Sequence, residues 1–199
     1  MNTGEWKWIM DKMTATRLTG GNPGKKRSVA DYYPTPADVT QALLDMMLIP
    51  PGTKVWEPAC GGGHMVQVLE ANGLKVTATD IETGTDFLTA ELPEGTEWII
   101  TNPPFSLANE FIETCIKHKR PFALLTKSQF WHAKKRYDLF LNHPPRWILP
   151  LTWRPDFNFL DRKEGERGNS LLDVCWCVWD GAPVFTHYMP LRRPGEDKT

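Results

Sequence analysis

Apolar residues recur along this chain in two different periods. After Pro36, Val39, Leu43, Leu44 and Met47 fall at helical spacing, and Pro50-Pro51-Gly52 stops the run, because proline lacks an amide donor and clashes with the preceding turn. Lys54-Val55-Trp56-Glu57 reads as a short strand. Gly61-Gly62-Gly63 then turns the chain into a second helix with apolar positions Met65, Val66, Val68 and Leu69, closed by Asn72-Gly73. A strand over 75–80, rich in β-formers, ends on Asp80, and another over 97–101 runs into Asn102-Pro103-Pro104-Phe105. Around 86–88 a further strand is short or absent. Beyond these, the pattern predicts a helix over 107–118, a strand over 122–126, a helix over 129–141 and two more strands, 146–151 and 171–179, around a charged loop at 154–170. Cys175 and Cys177 read as residues of the last strand without chemistry of their own.

Strands alternating with helices predict an α/β fold with a doubly wound, mainly parallel sheet. Ligands on such sheets bind at the carboxyl ends of strands, where Glu57, Asp80 and Asn102 fall. The 199 residues suit one domain, and leave no room for a large recognition domain beside a catalytic one. Residues 31–190 are expected to form that domain, between a flexible arm over 1–30 and a C-terminal tail over 191–199. The arm carries Lys7, Lys12, Arg17, Lys25, Lys26 and Arg27 against Glu5 and Asp11. The whole chain has 23 Lys plus Arg and 24 Asp plus Glu, so any nucleic-acid partner depends on local patches. Cys60, Cys115, Cys175 and Cys177 have neither C-x-x-C nor zinc-ligand spacing, which predicts free thiols, a reducing compartment and no metal. Neither a secretory h-region nor an apolar run of roughly 18–20 residues is present, so a cytoplasmic protein without a membrane partner is expected.

The segment Glu57-Pro58-Ala59-Cys60-Gly61-Gly62-Gly63-His64 either only turns the chain or lets a ligand approach the backbone and the amides of a helix start. It matches neither G-x-G-x-x-G nor a P-loop. Asp80 either caps the next turn or binds ribose hydroxyls. The Asp86 carboxylate could accept from an adenine amino group while Phe87 or Ile81 packs on the ring. Asn102-Pro103-Pro104-Phe105 is the sharpest feature: two prolines remove two donors and leave carbonyl acceptors facing outward, Asn102 adds another, and Phe105 offers an aromatic face. That set suits an amino group on a planar base, whose two N–H bonds it would hold while the lone pair turns toward an electrophile.

In order, Glu57-Pro58-Ala59-Cys60-Gly61-Gly62-Gly63, Asp80, Asp86-Phe87-Leu88 and Asn102-Pro103-Pro104-Phe105 resemble the motif series of S-adenosylmethionine-dependent amino-nitrogen methyltransferases. Tyr33-Pro34-Thr35-Pro36 resembles the aromatic-x-Thr-Pro motif of adenine-N6 DNA methyltransferases, and the order fits their γ-type arrangement. The likeness covers about residues 32–130 and is nearest to compact enzymes of the phage and prophage type. It implies a seven-stranded, Rossmann-like methyltransferase sheet and S-adenosylmethionine as cofactor. Gly61 and Gly63 would line the methionine portion, Asp80 the ribose and Asp86 the adenine amine, with Tyr33, Thr35, Glu57, Ala59, Ile81 and Phe87 completing that site. Asn102 and the Pro103 carbonyl, set by Pro104, would hold the target amine, and Phe105 would stack on the target base. Cys60 lies in the cofactor loop, which argues against a thiolate mechanism.

The resemblance also implies extrusion of the base from a duplex. Lys127, Lys134, Lys135, Arg136 and Arg146, interleaved with Phe130, Trp131, His132 and Tyr137, are either a DNA-backbone surface or the solvated face of an ordinary amphipathic helix. Trp153 and Phe157 are candidates for a second aromatic against the extruded base. Rival readings are methylation of RNA or of protein glutamine, and a catalytically silent module that binds cofactor and nucleic acid. With so short a chain, specificity would come from its own segments or from a partner subunit.

Overall fold

The computed structural model describes residues 33–161, 172–181 and 185–195, apart from the side chains of Lys135 and Asp161. The 1–30 arm and most of the charged loop fall outside the described residues. Seven strands form one sheet: β1 (Lys54–Glu57), β2 (Lys75–Ala78), β3 (Trp98–Thr101), β4 (Phe122–Lys127), β5 (Trp147–Pro150), β6 (Val174–Trp179) and β7 (His187–Tyr188), in the order β2-β1-β3-β4-β6-β5-β7. β1 to β4 are mutually parallel, and β6 is antiparallel to both β4 and β5. The fold is therefore the doubly wound, mainly parallel α/β sheet that the alternating pattern predicts.

Both faces of the sheet are covered. Val55, Ile100, Ala123 and Leu125 pack on one side with Val39 and Leu43 of α1 (Ala37–Met47) and Met65 and Leu69 of α2 (His64–Ala71). Trp56, Ile99, Phe122 and Leu124 pack on the other with Phe111, Ile112 and Cys115 of α3 (Ala108–His118). Successive strand residues thus serve opposite layers, as a period of two requires. Burying each large apolar side chain contributes about 1.5–3 kcal/mol.

Chain order reverses at β1, whose neighbours are β2 on one side and β3 on the other. This reversal opens a crevice at the carboxyl ends of β1 and β3. Around 86–88, where a strand is expected to be short or absent, none forms, and two elements elsewhere differ from expectation. Residues 86–90 form a turn closed by Thr89 and Ala90 amides on the Asp86 carbonyl, at 3.1 and 2.8 Å, and among the described residues no strand lies outside β2. The helix expected over 129–141 is broken into 3-10 turns at Ser128–Trp131 and Lys134–Arg136 and α4 (Tyr137–Asn142), with Ala133 extended between them. Packing explains the break: Trp131 and Phe130 both close on Phe140, with ring centroids 4.3 and 5.7 Å apart. Finally, Leu191, expected to open a tail, is buried and bridges Leu151.

Candidate active site

The glycine turn after β1 is tied down from several directions. Gly63 has φ +76° and its amide donates to the Cys60 carbonyl at 2.8 Å. A Cβ there would meet open space, so the left-handed backbone, and not crowding, is what specifies glycine. The Cys60 amide donates to Thr79 and the Thr79 amide to Glu57, at 3.0 and 2.9 Å, which joins the turn to the end of β2. The Asp80 carboxylate accepts from the Gly61 amide with one oxygen and from the Glu82 amide with the other, both at 2.9 Å. Asp80 therefore caps the short Ile81–Thr83 turn and also holds the glycine turn against it.

A cavity of about 320 Å³ opens above these strand ends. Glu57, Asp80, Glu82 and Asp86 supply its carboxylates, and among the described residues neither Lys nor Arg lines it. Glu57 is only 2% exposed, and its Oε2 has no hydrogen-bond partner. Burial, reinforced by the nearby Asp80 charge, pushes its carboxyl up to about 8. Asp86 lies at the surface, and one of its oxygens accepts from the Leu88 amide at 3.0 Å. Ile81, 69% exposed, and Leu107 bring apolar surface to the cavity. Phe87 also lines it, but only 2% of the residue is exposed, and its ring packs against Phe111 and Trp56 with centroids 4.7 and 5.1 Å away. Of the two side chains expected to cover an adenine ring, Ile81 offers a surface and Phe87 belongs to the core beneath it.

Asn102 follows β3 directly. Its amide nitrogen donates to the Tyr33 carbonyl and to Thr35 Oγ1, each at 3.0 Å. Its Oδ1 is buried without a partner. Tyr33, Thr35, Ala59, Gly61 and Pro104 line the same cavity. Pro103 is buried, and Phe105 lies beside the cavity, its ring 5.4 Å from that of Tyr33 with Lys127 Nζ 4.8 Å above its centroid.

The outlying candidates are not gathered in the same way. Phe157 is buried and meets Tyr33 edge-on at 5.9 Å, so the ring has no exposed face for an extruded base. Trp153 is half-buried, its indole N–H donating to Asp38 of α1 at 3.0 Å. Lys134 is exposed, whereas the Lys135 side chain is outside the described residues. Arg136 turns inward: its guanidinium lies 4.0 Å from the Phe130 ring centroid and donates to the Phe130 carbonyl at 2.8 Å, and burial lowers its pKa. An aromatic ring and a backbone acceptor thus engage this cation.

Leu107, His64, Met65 and Phe111 also line the cavity and are not among the expected site residues, His64 and Met65 having been placed only at the end of the glycine turn and on the apolar face of the following helix. Leu107, two positions after Phe105, carried a signal as an apolar residue on the edge of the strongest motif. Burial and the adjacent carboxylates of Glu57 and Asp80 raise the Cys60 thiol, which makes it a poor nucleophile. Among the described residues no cluster of His, Cys, Asp or Glu could hold a metal, and no helix is long and apolar enough to cross a membrane.

Comparison with protein-family models finds no match, and comparison with curated proteins finds none. Solved structures do match. The methyltransferase subunit of a type I restriction-modification system from Streptococcus thermophilus aligns with a TM-score of 0.53 at 10% identity, over 78% of this chain and 45% of that one. A modification subunit assigned to a type I restriction enzyme of Vibrio vulnificus YJ016 aligns with a TM-score of 0.51 at 13% identity, over 89% of this chain and 50% of its own. This chain thus spans about half the length of those subunits. The sheet order, the crevice and these alignments together give the chain a Rossmann-like methyltransferase fold.

Proposed function

We propose that the protein transfers a methyl group from S-adenosylmethionine to the N6 amino group of adenine in DNA. The observation that carries this reading is Asn102: a buried acceptor without a partner, at the carboxyl end of a central strand, beside a cavity of nucleoside size. A buried, unsatisfied carbonyl costs about 1–3 kcal/mol, and an incoming amino N–H would satisfy it.

The cavity's chemistry fits the cofactor. Four carboxyl groups suit a molecule with a cationic sulfur and an ammonium group, and the lack of Lys or Arg in the described lining disfavours a phosphorylated nucleotide. Glu57, with its unpartnered oxygen, would receive the ammonium group, Asp80 the ribose hydroxyls and Asp86 the adenine amine, between the apolar surfaces of Ile81 and Leu107. When bound, the cofactor supplies a methyl group activated by positive sulfur. Asn102 Oδ1 and the Pro103 carbonyl would hold the two N–H bonds of the target amine. Held so, the nitrogen aims its lone pair at the methyl carbon. Methyl transfer to the amine so held would leave its surplus proton to water. Alignment, more than acid or base strength, lowers this barrier.

Tyr33-Pro34-Thr35-Pro36, which closes on Asn102, supports adenine in DNA as the substrate. So does the likeness of fold to two restriction-modification subunits. Their greater length favours a further segment or a partner subunit for target recognition.

The test is transfer of labelled methyl from S-adenosylmethionine to unmethylated DNA, RNA and a bulk protein extract, with nucleoside analysis of the product. N6-methyladenine in DNA, reduced at least ~100-fold by Asn102→Ala with cofactor binding retained, is the expected result. Transfer to RNA or protein alone overturns the substrate, and cofactor binding without any transfer overturns the enzyme.

A further inference from the structure

An asparagine amide is nearly symmetric in shape but not in chemistry: one end donates two hydrogen bonds, the other only accepts. At the end of β3 the difference decides the site's polarity, because an NH2 group directed at a target amine would meet it donor to donor. Both amide protons of Asn102 are engaged, one by the Tyr33 carbonyl and one by Thr35 Oγ1. The oxygen is left buried and without a partner.

The segment that accepts these protons has little backbone freedom. Pro34 and Pro36 remove two backbone donors and restrict Tyr33 and Thr35 to extended conformations. Pro36, with φ −60° and ψ 147°, starts α1, and Thr35 is itself buried. Two acceptors are thus held rigidly 69 and 67 positions away in sequence from the amide they orient.

We infer that Thr35, with the Tyr33 carbonyl, is a positioning element that fixes the Asn102 amide with its oxygen toward the target amine. This role is distinct from the cofactor contact that the motif resemblance implies for Thr35, and it rests on the proposed methyl transfer. Removing the hydroxyl while keeping the shape leaves one amide proton unmatched and lets the carboxamide rotate. The cost falls on turnover, and the cofactor has no reason to bind differently.

The experiment compares wild type, Thr35→Val and Thr35→Ser by methyl-transfer kinetics, by calorimetric titration with S-adenosylmethionine, and by NMR of the Asn102 side-chain amide, identified by its loss in Asn102→Ala. Thr35→Val is expected to lower kcat by about 10- to 100-fold and to leave cofactor affinity within about twofold. It should also shift one of the two Asn102 amide protons away from its hydrogen-bonded position. Thr35→Ser should restore both readouts. Weaker cofactor binding at unchanged kcat would overturn the inference and make Thr35 a cofactor ligand. Unchanged Asn102 amide protons in Thr35→Val would overturn it as well. The NMR arm needs no turnover, so a wild type that methylates nothing would defeat the proposed function while still deciding how the amide is held.

Discussion

Glu57 offers a test of the site's electrostatics that requires no substrate. Its carboxyl is displaced from an ordinary value of 4.5 to about 8, chiefly by burial and further by Asp80. Below about pH 4.5 folded and unfolded chains both carry the proton. Between there and about pH 8 the folded chain keeps a proton that the unfolded chain has lost, so stability falls as pH rises, by up to about 1.4 kcal/mol per pH unit. Above about pH 8 the loss is complete, with an upper bound of about 5 kcal/mol. Water drawn to the ionised group would reduce that figure. Glu57→Gln removes the titration while keeping nearly the same volume. Urea unfolding of both proteins without cofactor, from about pH 5 to about pH 9, should give similar stabilities at the acid end. At the alkaline end the variant should be more stable by a few kcal/mol. A difference that stays flat across this range would refute the reasoning, since Glu57 would then be ionised and compensated at neutral pH.

Two further predictions separate framework from ligand contact. Phe87→Ala should cost about 3–5 kcal/mol of stability, as expected for an aromatic lost from a core, because Phe87 packs among Trp56, Phe111 and His118; unchanged thermal stability with weaker cofactor binding would return Phe87 to the ligand surface. Asp80→Ala removes the acceptor of the Gly61 and Glu82 amides and should cost about 1 kcal/mol of stability as a lost cap. S-adenosylmethionine affinity should fall at least ~10-fold; calorimetry finding it unaltered would remove Asp80 from the ribose site.

The parts of the fold set by local rules were legible in the chain. Val39, Leu43, Leu44 and Met47 mark α1 because a helix repeats its buried face every three to four residues. Lys54–Glu57 and Trp98–Thr101 read as strands, and the prolines after each stop them. Glu57, Asp80 and Asn102 were identifiable as strand-end residues, and their convergence follows from parallel strands ending on one side of a sheet. Over 129–141 the aromatic residues satisfy the spacing of a single helix, whereas in the fold Ala133 is extended and Trp131 packs on Phe140.

By itself, then, the sequence determined the alternating layers, the glycine turn and the Asn-Pro-Pro-Phe strand end, since each depends on a backbone preference or on neighbours a few positions apart. Tertiary structure alone decided how the Asn102 amide is held, its nitrogen on Tyr33 and Thr35 and its oxygen buried without a partner, because those partners lie in a segment that no short-range pattern links to it. It also decided the protonation of Glu57, which is a matter of how much water the finished fold excludes. Phe157 and Arg136 make the same point from the opposite side. As residue types they suit a nucleic-acid surface, and only packing reveals that Tyr33 and Phe130 already engage them.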